Sequence, residues 1–81
     1  MPPRAPRERH IFGAAVRELR RARGLTQEDV ARAGKLGHKY PGQAERGEVD
    51  PRLQSMLALA RGLGMEPADL FRAYADRLER R

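Results

Sequence analysis

The residues best equipped for chemistry are His10, His38 and Ser55, and their spacing argues against catalysis. The two histidines lie far apart with no carboxylate at ligand spacing, so no metal site is expected. Ser55 is the only serine and falls mid-helix, away from any histidine or nucleophile-elbow pattern. No glycine-rich phosphate loop is present, and the acids are scattered over helix surfaces. The chain is therefore expected to be no enzyme and to hold no cofactor.

Charge points elsewhere. Seventeen basic residues against eleven acidic ones give a formal net charge of +6. Such a balance suits a polyanionic partner, with nucleic acid the first candidate, although it also keeps a small domain soluble. Arginine outnumbers lysine 15 to 2, which fits bidentate contacts and GC-rich coding alike. Two Phe, two Tyr and no Trp argue against a single-strand binder built on aromatic stacking. Eighty-one residues make one small domain, for which a helical bundle is the economical architecture. Without cysteine there are no disulfides or thiolate sites. No apolar run has the length of a signal peptide or membrane span, so a cytoplasmic protein without membrane contact is expected.

The elements follow from periodicity and punctuation. Residues 1–9 interleave Pro2, Pro3 and Pro6 with Arg4, Arg7 and Arg9. They are expected to form a disordered basic arm, either a plain terminus or one that follows phosphates. A first helix over 10–23 carries Phe12, Ala15, Val16 and Leu19 as its apolar stripe, and Gly24 closes it. Thr26 is a good N-cap with Asp29 three residues on, so a short helix spans 26–33 and Gly34 is its C-cap residue. Leu36 plugs the core. Ala44 faces inward from a second short helix ended by Gly47. Two short helices joined by a tight turn form a helix-turn-helix pattern. Asp50-Pro51 opens a fourth helix, with Leu53, Met56, Leu57 and Ala60 inward and Gly64 at its end. Glu66-Pro67 opens a fifth, with Leu70 and Phe71 toward the core.

Gly24-Leu25-Thr26-Gln27-Glu28-Asp29-Val30-Ala31, followed at the expected distance by Glu45-Arg46-Gly47, resembles the phage-repressor family of the Cro/xenobiotic-response-element type. The likeness runs from about Phe12 to Phe71 and includes Arg20, Asp50-Pro51 and Leu63-Gly64-Met65. It implies an all-α, five-helix helix-turn-helix domain over 10–81, binding double-stranded DNA as a dimer on a palindromic operator to regulate transcription. By the same resemblance His38, Lys39, Tyr40, Gly42 and Gln43 fall where base edges are read in the major groove. Gln suits an adenine edge, Lys a guanine, and neutral His can donate or accept. Gln27, Gly37, Arg46 and Arg52 fall at phosphate-contacting positions. Arg20 is expected to pair with Glu45 and tie the first helix to the recognition helix.

The segment departs from the family at Pro41-Gly42, where an apolar anchor is usual. In one placement the recognition helix starts near Gly37 or His38, and Pro41 falls at or just past its first turn. In the other the turn extends to Tyr40 and Pro41 is the first helical residue, a position that favours proline. The second is preferred. It leaves His38, Lys39 and Tyr40 on a loop and makes Gln43 the main helical reader. Tyr74 and Leu78 extend the apolar stripe of the last helix and call for a partner. Helix 1 of the same chain or a second copy would serve, and a homodimer is preferred. The rival function is a protein-interaction module or antitoxin that keeps the fold, reads DNA weakly and binds a protein partner.

Overall fold

The computed structural model describes residues 5–80. Its elements are five helices: α1 (Ala5–Ala22), α2 (Gln27–Gly34), α3 (Tyr40–Glu45), α4 (Leu53–Leu63) and α5 (Pro67–Glu79). Among the described residues there is no strand, no cluster of three metal-ligating side chains, and no helix long and apolar enough to cross a membrane.

The core is built from every helix. Phe12 and Val16 of α1, Val30 of α2, Ala44 of α3, Leu59, Ala60 and Leu63 of α4, and Leu70 of α5 form one buried cluster. Leu19, Leu25, Leu36, Tyr40, Met56 and Tyr74 pack around it. Phe71, expected beside Leu70, is half-buried.

Three glycines inside helices set how closely the backbones approach. A methyl at Gly34 would lie 2.5 Å from the Ala58 carbonyl oxygen of α4. One at Gly62 would clash with the Val30 carbonyl of α2, and one at Gly13 with the carbonyls of Ala44 and Glu45 in α3. The first two let α2 and α4 touch backbone to backbone, and the third seats α1 on the end of α3.

Gly34 is therefore spent on packing and does not form the helix cap. Lys35 takes the left-handed conformation instead (φ 59°), and the Leu36 N–H returns to the Ala31 carbonyl at 2.8 Å. That bond swings Leu36 onto the core. Arg61 of α4 donates to the freed Gly34 carbonyl at 2.9 Å.

Two helix starts differ from expectation. α1 begins at Ala5, so residues 5–9 belong to a helix and not to an arm. Pro6 stands in the first turn, where no N–H is needed for the helix ladder, and Glu8 suits the positive end. Residues 1–4 lie outside the described part. α4 begins at Leu53, with Arg52 at the N-cap position, and so Asp50 caps nothing. Pro51 stays outside the helix and half-buried, lining a shallow cavity of about 300 Å³ with Phe12, Met56 and Tyr74. The buried face of α4 is Ala58, Leu59, Ala60, Gly62 and Leu63. Leu53 and Leu57, expected inward, are 62% and 37% exposed. The backbone-close seat of α2 demands small residues on α4 and turns those leucines outward.

Candidate nucleic-acid interface

The α2–α3 unit starts from a reciprocal cap. Thr26 Oγ1 accepts from the Asp29 N–H at 3.0 Å, and Asp29 Oδ2 accepts from the Thr26 N–H at 2.9 Å. Hydrogen bonds from the Thr26 backbone and hydroxyl, with Arg32 nearby, hold the Asp29 carboxyl below its ordinary pKa. Two orphan donors at the start of α2 are satisfied in this way.

α3 is six residues long. Tyr40 is its first residue and Pro41 its second, so the helix starts one residue before the preferred placement. Tyr40 is accordingly on the helix, with Lys39 at the N-cap position. The Tyr40 N–H reaches the Gly37 carbonyl at 3.0 Å and the Gln43 N–H reaches the Lys39 carbonyl at 3.1 Å. Pro41 lacks a donor at a point where none is required, and its ring is fully buried in place of the usual apolar anchor.

Beneath α3 lies a charged network. Glu45 is the one buried acid of the described residues, 4% exposed. Arg20 of α1 grips it through Nε at 2.6 Å and NH2 at 3.1 Å, and sends NH1 to the Leu25 carbonyl at 2.9 Å. Gln27, the first residue of α2, donates its side-chain amide to Glu45 Oε1 at 3.0 Å. Arg17 stands 3.5 Å from the same oxygen. Burial alone would raise the Glu45 pKa. Hydrogen bonds from Arg20 and Gln27, with the charges of Arg20 and Arg17, outweigh it and hold the group ionised below the ordinary glutamate value. The hydrogen bond to Glu45 likewise raises Arg20. One carboxylate therefore locks α1, α2 and α3 together. Arg17 was not singled out from the sequence, although its position three residues before Arg20 puts both on one helix face.

The outward side is different. Gly37, His38 and Lys39 are exposed in the turn, and Gln43 is half-buried on α3. No side-chain hydrogen bond or ion pair engages His38, Lys39 or Gln43 among the described residues. Gly42, expected to meet base edges, is buried instead. A Cβ there would lie 3.1 Å from both Gln27 Oε1 and Arg46 NH1, so those side chains cover it. Arg46 is exposed but bound to Glu48, a residue the sequence pattern does not single out, through Nε at 2.7 Å and NH2 at 3.1 Å. Arg52 is exposed at the N-cap of α4, a separate element from the α2–α3 unit.

The last helix finds its partner within the chain. Tyr74 meets Phe12 of α1 edge-on, ring centroids 5.5 Å apart at 79°. Arg77 pairs with Glu18 of α1. Tyr74, expected at a dimer interface, is thereby committed to α1, and Leu78 beyond it is half-buried.

A family model described as a helix-turn-helix domain matches residues 11–73. The chain belongs to the helix-turn-helix family. It is 34% identical over 62 residues to an uncharacterised HTH-type transcriptional regulator, y4dJ, of Sinorhizobium fredii, covering 76% of this chain and 80% of that one. Among solved structures it is similar to the restriction-modification controller protein C.AhdI from Aeromonas hydrophila. The identity is 42% and the TM-score 0.75, over 80% of this chain and 98% of that chain. It is also similar to the clp gene regulator ClgR from Corynebacterium glutamicum, at 28% identity and TM-score 0.76, over 85% and 73% of the two chains.

Proposed function

We propose that the protein is a cytoplasmic regulator of transcription that binds double-stranded DNA by sequence, with α3 directed at the major groove. The observation that carries this reading is the division of labour around α3. The Glu45 network holds it from below, while His38, Lys39 and Gln43 remain unengaged above. Pre-positioned donors are what base-edge recognition requires. The net charge of +6 supplies salt-dependent affinity for phosphates. Gly37, Arg46 and Arg52 are the backbone contacts, joined by the N-terminus of α2 at Gln27. The Gln27 side chain has one amide hydrogen turned to Glu45, which leaves its second amide hydrogen for a phosphate. The relatives bear the names of transcriptional regulators and controllers, in keeping with this assignment.

The working form is a homodimer on an imperfect palindrome, its recognition helices in successive major grooves about 34–36 Å apart. We infer that the interface draws on Leu53 and Leu57, exposed one turn apart on α4, more than on Tyr74 and Leu78, because Tyr74 already packs on Phe12. Sedimentation of the wild type and of Leu57→Glu tests this: a dimer is expected for the first and a monomer for the second. An unchanged dimer in the variant moves the interface elsewhere.

Selection from random duplexes by the purified protein tests the function. Enrichment of a site with two-fold symmetry is expected. Failure to enrich any sequence would oppose DNA reading and favour a protein-interaction module.

A further inference from the structure

Glu48 is an acid where the proposed surface calls for cations. It lies three residues past α3, half exposed, and holds Arg46 through two nitrogens at 2.7 and 3.1 Å. Both partners are about half exposed, 52% for the Arg46 side chain and 51% for Glu48. An exposed pair of this kind contributes little to folding. Its geometry matters more. With Nε and NH2 occupied, NH1 is the guanidinium nitrogen left over, and it lies, as Gln27 Oε1 does, 3.1 Å from where a Cβ on Gly42 would stand. That is the mouth between α2 and α3, where a phosphate would meet the helix start.

We propose that Glu48 restrains Arg46 and thereby lowers phosphate-driven affinity for any duplex, so that discrimination depends more on His38, Lys39 and Gln43. This rests on the DNA-binding reading above and adds to it a residue that sets specificity without touching a base. Non-specific binding is governed by how many phosphates the protein neutralises. An arginine whose charge is already matched by a carboxylate releases fewer counterions when it meets a phosphate. Glu48 is also a fixed negative charge that a phosphate must approach. The two effects act in the same direction on every sequence, whereas base-edge contacts act on the operator alone. Glu48 is a positioning residue in this scheme, acting through Arg46.

The test is a double-mutant cycle read by fluorescence anisotropy. Wild type, Glu48→Gln, Arg46→Ala and the double variant are titrated with a selected duplex and with a scrambled one, over about 50 to 200 mM salt. For Glu48→Gln the salt slope on scrambled DNA is expected to steepen by about 0.9, one phosphate's worth. That corresponds to an affinity loss across this salt range about 3.5-fold larger than for wild type. Binding to scrambled DNA at the lowest salt should tighten, and the ratio of selected to scrambled affinity should fall. In the Arg46→Ala background the same change should have little effect. A melting curve for each variant separates these effects from misfolding. Wild-type binding with an unchanged Glu48→Gln slope would overturn the proposal while leaving DNA binding intact. An effect undiminished by Arg46→Ala would also overturn it, because the carboxylate would then act as bulk charge. No binding by any variant to either duplex would remove the DNA reading and this proposal with it.

Discussion

The two sides of α3 carry polar groups of similar kinds in opposite states. On the inner side Glu45, Arg20 and Gln27 are bound to one another, with Arg17 beside them. On the outer side the side chains of His38, Lys39 and Gln43 make no hydrogen bond or ion pair among the described residues. Six residues would be far too short for a helix standing alone. The inner network and the buried ring of Pro41 supply the stability that length does not. The outer groups are then left free for a partner, and ordering them on binding costs less because the backbone beneath is already fixed.

The largest test of that contrast is Arg20→Ala. It strands a buried carboxylate with only Gln27 and a more distant Arg17, and should cost about 3–5 kcal/mol by urea denaturation. The effect should depend on pH. The Glu45 pKa is depressed in the folded state, so its contribution is complete above the unfolded glutamate value of about 4.3 and fades as pH falls through the lower folded value. Wild-type stability should therefore fall in acid below about pH 4, and the gap to Arg20→Ala should narrow there. A gap independent of pH would mean that Arg20 stabilises by packing alone.

A second break lies beneath the unit. Gly34→Ala places a methyl against the Ala58 carbonyl and should cost about 1–3 kcal/mol through a forced separation of α2 from α4. A neutral or stabilising effect would show that the two helices can yield. On the outer side, Gln43→Ala should leave melting within about 0.5 kcal/mol of wild type. It should relax preference at a single base position by about 1–3 kcal/mol. Equal loss on all sequences would make Gln43 a backbone contact.

The inner side was the more legible of the two. Thr26 and Asp29 announce a capping box through spacing alone, and Leu36 stands out as an apolar residue in a polar turn. The Arg20–Glu45 pair came by resemblance to the phage-repressor family, and the geometry supplied the two further donors, Gln27 and Arg17. What escaped the sequence was decided by contacts between elements. Gly34 has the signature of a cap until Ala58 is seen against it. Leu53 and Leu57 match an inward period, yet the close fit of α2 on α4 selects a small-residue face instead. Tyr74 asked for a partner, and only the folded chain reveals that Phe12 supplies it. Pro6 suggests a break in regular structure, although proline is well placed in a first turn. Glu48 is not legible from the sequence, because an exposed acid carries no pattern of its own.

Fluorescence anisotropy over a salt series tests the central claim most directly, using a duplex from upstream of the protein's own gene or one enriched by selection, beside a scrambled duplex of equal length. Tighter binding to the first, with both affinities falling steeply as salt rises, is the expected result, and the slope counts the phosphate contacts. Equal, weak binding to an enriched and a scrambled duplex would contradict sequence reading by the outer face of α3.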